Sequence, residues 1–195
     1  MKFENANVLI TGGASGIGKI MGRMALERGA MRFIIWDITL TGIEQTRKEL
    51  SSYGKVKGYV VNVADNDIVT AAYRKTVEDC GPIDILINCA GIVANNKTFD
   101  EQSVSDITRT MNINALAPML VTLQFLPDML KRNFGHICNI ASAAGMISNP
   151  RMSVYAASKW ATLGWSDSIR IELEQAKSKV KVSTVAPYFI STGMF

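Results

Sequence analysis

Short apolar runs alternate with longer stretches in which apolar positions recur at helical spacing, and the alternation persists along the whole chain. Six runs have strand length, at residues 6–11, 32–37, 57–63, 83–88, 136–141 and 180–186. They lack strict polar alternation, as in a parallel sheet whose two faces are both covered. Between them the spacing predicts helices near residues 16–28, 41–52, 66–79, 105–132 and 152–179. This succession argues for an α/β fold, a doubly wound parallel sheet with helices on both faces. No internal repeat, low-complexity tract or linker breaks the pattern, so residues 1–195 are expected to form a single domain. The last predicted strand is followed by Pro187-Tyr188-Phe189-Ile190-Ser191-Thr192-Gly193-Met194-Phe195 with no helix to cover it, and further chain is expected beyond Phe195.

The chain of 195 residues is 48% hydrophobic and 19% charged, which suits an ordered globular domain with a sizeable core. Its net charge of +4 arises from basic residues that mostly share stretches with acids, too diffuse for a nucleic-acid footprint. No apolar run approaches the roughly 18 residues of a bilayer span, and Glu4 and Asn5 precede an apolar run without a cleavage pattern. A cytoplasmic protein with no membrane span is expected. Cys80, Cys89 and Cys138 are odd in number and show no CxxC spacing, so neither a disulfide framework nor a metal site is expected.

Val8-Leu9-Ile10 leads into Thr11-Gly12-Gly13-Ala14-Ser15-Gly16-Ile17-Gly18 and then a helical pattern. In that context Gly12 permits a tight turn, Gly16 lets the backbone approach a pyrophosphate, and Gly18 lets helix and strand pack closely, a Rossmann-like arrangement. No Gly-Lys-Ser/Thr follows, which disfavours nucleotide hydrolysis. Asp37 ends the second predicted strand, where a carboxylate can accept hydrogen bonds from an adenosine ribose and repel a 2′-phosphate, favouring NAD over NADP. A strand-end cap is the plainer alternative for that residue.

Tyr155 and Lys159 stand four residues apart on one face of the helix predicted from Met152. An unperturbed tyrosine is only about 0.1% ionised at pH 7, and a neighbouring ammonium would stabilise the phenolate. Ser142 lies just past the fifth strand, at the end of the sheet where such folds place ligands. Its hydroxyl can hold a substrate oxygen. It is no hydrolase nucleophile, because His136, the only histidine, starts the same strand at the opposite end of the sheet.

Thr11-Gly12-x3-Gly16-x-Gly18, Asn88-Cys89-Ala90-Gly91, Asn114, Ser142, Tyr155-x3-Lys159 and Pro187-x4-Thr192 together resemble the short-chain dehydrogenases/reductases, in order and in spacing, along the whole chain. The resemblance implies that Tyr155 exchanges a proton with an alcohol or carbonyl oxygen while hydride passes between substrate and a nicotinamide cofactor, NAD here. It assigns Lys159 to the tyrosine pKa and the nicotinamide ribose, Ser142 to the substrate oxygen, and Asn114 to a water in a proton relay. Gly12, Ser15, Gly16, Ile17, Gly18, Asp37, Asn62, Val63, Asn88, Ala90, Gly91, Tyr155, Lys159, Pro187, Ile190 and Thr192 are the cofactor-binding residues it implies. Asn62 replaces a usual aspartate, Cys89 a common asparagine, and Tyr188 a usual glycine.

Asn112-Ile113-Asn114-Ala115-Leu116-Ala117, Ile35-Trp36-Asp37-Ile38 and the Pro187–Phe195 stretch look most like the branch of retinol and 17-beta-hydroxysteroid dehydrogenases, which implies a lipophilic alcohol or ketone substrate. An NADPH-dependent 3-oxoacyl-thioester or general carbonyl reductase, and a non-catalytic nucleotide-sensing scaffold, remain as alternatives. Family members usually continue past this point with a substrate loop, which the chain is expected to lack. The resemblance also implies a homodimer or homotetramer paired through the helices around residues 105–132 and 152–179. Finally, Pro118 lacks the amide that would bond the carbonyl of Asn114, so within a continuing helix that carbonyl is expected to be free for a water; alternatively the helix starts near Pro118.

Overall fold

Runs with no polar face become the middle of the sheet. In the computed structural model, which describes residues 2–191, every residue of β1 (Asn7–Thr11) is buried. It pairs in parallel with β2 (Arg32–Asp37) on one side and β4 (Ile85–Asn88) on the other. β3 (Lys55–Val60) forms one edge, and β5 (His136–Ile140) and β6 (Lys181–Val185) extend the other, in the order β3-β2-β1-β4-β5-β6. The order reverses direction between β1 and β4, and such a switch point leaves a crevice at the carboxyl ends of the two strands.

Side chains alternate between the two faces with the strand period of two. Val8 and Ile10 pack with Leu26, Ile43 and Leu50 of α1 (Gly16–Glu27) and α2 (Leu40–Leu50). Leu9 packs on the other face with Val69, Phe125 and Leu173 of α3 (Asn66–Cys80), α5 (Ala117–Arg132) and α6 (Ser153–Gln175). Trp36 is buried on that second face, where its indole N–H donates to Thr76 Oγ1 at 2.9 Å and its ring meets that of Phe125. The doubly wound α/β sheet read from the sequence is thus the fold.

Element boundaries differ where local chemistry overrides periodicity. β3 begins earlier, at Lys55, and stops at Val60, short of the expected residue 63. As an edge strand it leaves Lys55 and Lys57 in solvent, so its polar positions were no bar to pairing. β4 starts at Ile85, since the Asp84 carboxylate accepts the amide of Asn7 at 3.0 Å and its partner oxygen holds Arg132. α6 ends at Gln175, four residues early, where Lys177 turns left-handed (φ 53°) and the Ser178 amide reaches back to Leu173.

The helix expected over residues 105–132 is two α segments, α4 (Val104–Met111) and α5, joined by a widened turn in which the Ala117 amide donates to Asn112 O, five residues back. The chain stays helical throughout, so no helix begins at Pro118. By length and composition this run could cross a bilayer, contrary to the expectation that no stretch could. Its Val121, Phe125 and Met129 are spent on the sheet instead. Far from the crevice, His136 bonds Ser183 Oγ at 2.8 Å and burial holds its pKa below the usual value, an ordinary structural role.

Candidate active site

The crevice is built from two strand ends held close. Gly12 has φ +67°, and a Cβ on it would lie 3.0 Å from Ala90 Cα, so only glycine lets the two loops meet. A Cβ on Gly18 would collide with the Gly12 carbonyl. Thr11 Oγ1 fastens the loops together by accepting the amides of Cys89 and Ala90 at 3.0 and 3.1 Å. Ser15 precedes α1 without a side-chain cap bond, and no acidic residue lies in its first turn, which leaves the helix amides facing the crevice. The half-buried Asp37 carboxylate accepts the amides of Ala14 and Thr39, each at 3.1 Å, and so sits beside the glycine turn.

A cleft of about 390 Å³ runs from this turn across the ends of β4 and β5. Gly12, Ser15, Gly16, Ile17, Gly18, Ala90, Gly91, Ser142, Tyr155, Lys159, Pro187 and Ile190 line it. Asn62 lines a neighbouring groove with Ile38 and Arg109. Asp37 does not line the cleft, and three further expected residues do not face it either. Val63 packs in the core. Asn88 is turned beneath the sheet end, where its amide donates to Asn139 Oδ1 at 2.8 Å and Thr122 Oγ1 at 3.0 Å, because a β4 side chain at that register faces α5. Asn114 is 1% exposed and stands behind the cleft wall. Thr192 lies outside the described residues.

Asn114 grips the loop after β4 like a strand partner: its Nδ2 donates to Ile92 O at 2.9 Å and its Oδ1 accepts the Ile92 amide at 2.8 Å. Across the cleft, Ser142 Oγ accepts the Ala144 amide at 3.2 Å and its hydroxyl bonds the Tyr155 phenol. Tyr155 is 7% exposed and Lys159 5%. The Lys159 ammonium donates to Ile140 O at 3.0 Å and lies 5.7 Å from the Tyr155 ring centre.

Burial governs both groups. It raises the Tyr155 phenol above its ordinary value, and the Ser142 hydrogen bond draws it down. It pushes Lys159 down to about 8. A shared dry site disfavours both charges, and the side-chain hydrogen bond that draws the phenol down comes from Ser142. The Cys89 thiol in the cleft floor is pushed up to about 12 by burial and stays protonated.

Several residues that hold the site escaped the sequence reading. Ser158 Oγ accepts Asn114 Nδ2 at 3.1 Å and donates to Tyr155 O at 2.6 Å. Thr162 Oγ1 donates to Asn114 O at 3.0 Å, and Thr46 Oγ1 to Ala14 O at 2.9 Å. Ser158 and Thr162 are four apart, one helical face beside Tyr155 and Lys159, and that spacing was a usable signal. Arg109, an exposed cation touching both cleft and groove, carries none.

Comparison with known proteins agrees with the geometry. Estradiol 17-beta-dehydrogenase 11 of Pongo abelii is 35% identical over 188 residues, covering 95% of this chain and 62% of its own. The chain thus spans about three fifths of the length of that relative. The 3-oxoacyl-[acyl-carrier-protein] reductase FabG of Thermotoga maritima is 36% identical over 195 residues, all of this chain and 78% of its own. Among solved structures, a short chain dehydrogenase/reductase from Burkholderia phymatum in complex with NAD superposes with a TM-score of 0.95 at 28% identity, covering 100% of this chain and 69% of its own. The sequence profile of the short chain dehydrogenases matches residues 6–195, and the chain belongs to that family.

Proposed function

We propose that the protein moves hydride between NAD and an alcohol or ketone, with Tyr155 as the proton-transferring group. The observation that carries this reading is the convergence of Tyr155, Ser142 and Lys159 on one cleft whose other end is the glycine turn. The residues fit a dinucleotide. Gly12 and Gly18 leave no room for a Cβ, the α1 amides lack side-chain acceptors, and Gly91 keeps the space between Asn114 and Lys159 open. A pyrophosphate would rest on the turn at Ser15 to Gly18, the adenosine ribose by Asp37, and the nicotinamide end by Lys159, Pro187 and Ile190. When bound, the nicotinamide supplies the hydride acceptor or donor, which no side chain of the cleft can supply.

The chain's own part is orientation and proton transfer. Ser142 and the Tyr155 phenol would both bond one substrate oxygen. Kept protonated by burial, Tyr155 is a proton donor to a carbonyl oxygen; in the oxidising direction it must release its proton first. Beside the phenol a small hollow is lined by Ala143, Met152, Tyr188 and Phe189 among others, and Met146 and Ile147 stand exposed nearby in sequence. Those surfaces, and the likeness to estradiol 17-beta-dehydrogenase 11, support a lipophilic substrate. A homo-oligomer in the cytoplasm completes the proposal, with exposed Leu123 and Trp160 as its apolar contacts.

NAD is preferred in this reading because the Asp37 carboxylate would face a 2′-phosphate. Asp37→Ala is expected to narrow the ratio of kcat/KM for NAD over NADP by about tenfold, the equivalent of removing a 1.4 kcal/mol repulsion. An unchanged ratio would show that Asp37 only ties down the Ala14 and Thr39 amides. A second reading, an NADPH-dependent 3-oxoacyl-thioester reductase, is favoured by the 36% identity to FabG along the whole chain. Titration with both dinucleotides, followed by a panel of alcohols, ketones and 3-oxoacyl thioesters read by nicotinamide absorbance, separates the two. Dinucleotide binding without turnover on the panel would point to a nucleotide-sensing scaffold.

A further inference from the structure

We propose that Thr162 is a positioning residue for the proton-transfer site: its hydroxyl donates to the backbone carbonyl of Asn114, to which Pro118 can offer no amide. In a regular α-helix the N–H of residue 118 would bond Asn114 O, and Pro118 has no N–H. The turn there is already widened, with Ala117 N–H reaching Asn112 O. From the neighbouring helix α6, Thr162 Oγ1 comes to 3.0 Å from Asn114 O, and Thr162 is 1% exposed. The same oxygen also lies 3.0 Å from Ser158 O on its own helix. One hydroxyl hydrogen faces two carbonyls, and their needs differ. Ser158 O lies in mid-helix, four residues before Thr162, where a backbone amide serves it, whereas Asn114 O has lost that partner. The hydroxyl is therefore assigned to Asn114.

A single turn of α6 thus holds Asn114 at two points, Ser158 at the side-chain amide and Thr162 at the main chain. The same stretch of α6, over two turns, carries Tyr155 and Lys159 into the cleft. Asn114 Oδ1 and Lys159 Nζ each lie 3.4 Å from the point where a Cβ on Gly91 would stand, so both border the same space beside Gly91. The inference rests on the oxidoreductase reading for its effect on rate, and on the coordinates alone for its effect on Asn114.

Thr162→Val keeps the shape and removes the donor. It is expected to lower kcat about tenfold, one hydrogen bond's worth of positioning, and to displace the pH midpoint of kcat, while the KM for the dinucleotide stays within about twofold. Thr162→Ser restores both rate and midpoint. Hydrogen exchange of the Ile92 amide, which Asn114 Oδ1 accepts, is measured without substrate; it is expected to quicken in Thr162→Val and not in Thr162→Ser. Thr162→Ala serves for both measurements if Thr162→Val does not fold. A wild-type rate and pH profile in Thr162→Val, or a Thr162→Ser variant as impaired as Thr162→Val, overturns the proposal. Quickened exchange in a protein whose wild type turns over no alcohol or ketone supports the grip on Asn114 and overturns the oxidoreductase reading instead.

Discussion

Tyr155→Phe is expected to remove at least about a thousandfold of the turnover, within the range that a positioned general acid contributes, while dinucleotide affinity changes by no more than about twofold. The substitution disturbs little else. The ring is 7% exposed and packs with Ala144, Ala156 and Met152, contacts that phenylalanine keeps. Ser142 Oγ loses one partner but retains the Ala144 amide, so the hydroxyl is not stranded. Stability should fall by about 1 kcal/mol, the usual net worth of one hydrogen bond. Steady-state rates together with titration of the reduced dinucleotide by fluorescence measure both halves. Wild-type turnover in the variant would mean that the proton comes from elsewhere, and a matching loss of dinucleotide binding would mean that the phenol is part of the cofactor wall.

The sheet was legible because most of its strands are short apolar runs and both of its faces are covered. Positions such as Leu9 against Val8 and Ile10 could be placed on opposite faces by counting in twos. The candidate site was legible for a different reason: glycine turns and a Tyr-x3-Lys pair are local, and a strand end or one helical face brings each to the crevice. What could not be read is whatever depends on distant pairing. Asn88 was expected against the cofactor, but Asn139 on the adjacent strand and Thr122 on α5 claim its amide. Pro118 withholds its amide from the Asn114 carbonyl as its position implied, but the donor that reaches that oxygen, Thr162, lies 48 residues along the chain, and the oxygen's second lone pair is left for a water. The electrostatics were least legible. Spacing places an ammonium near a phenol, but only burial shows that both are held in a site dry enough to disfavour their charged forms.

That burial has a cost, which sets up an opposition between stability and activity at Lys159. Folding lowers its pKa from 10.5 to about 8, so the unfolded chain binds this proton more tightly. The penalty is fully present below the folded value, about 3 kcal/mol at pH 7, and it fades as pH rises from about 8 toward 10.5. Lys159→Met fills the same space without the charge and forfeits the bond to Ile140 O, so the variant should be more stable by about 2 kcal/mol at pH 7. Its advantage should shrink above pH 8, vanish near pH 10 and give way to a small disadvantage by pH 10.5, where only the lost bond to Ile140 O remains. Turnover should fall by at least about a hundredfold, since the ammonium that would hold the nicotinamide ribose is gone. Urea midpoints at pH 7 and pH 10, set beside kcat, test the opposition. A variant less stable than the wild type at pH 7 would show that the Ile140 carbonyl and the surrounding dipoles already compensate the buried ammonium, and Lys159 would then be a structural group first. A more stable and inactive variant would show a destabilising charge whose place in the cleft is accounted for only by the chemistry.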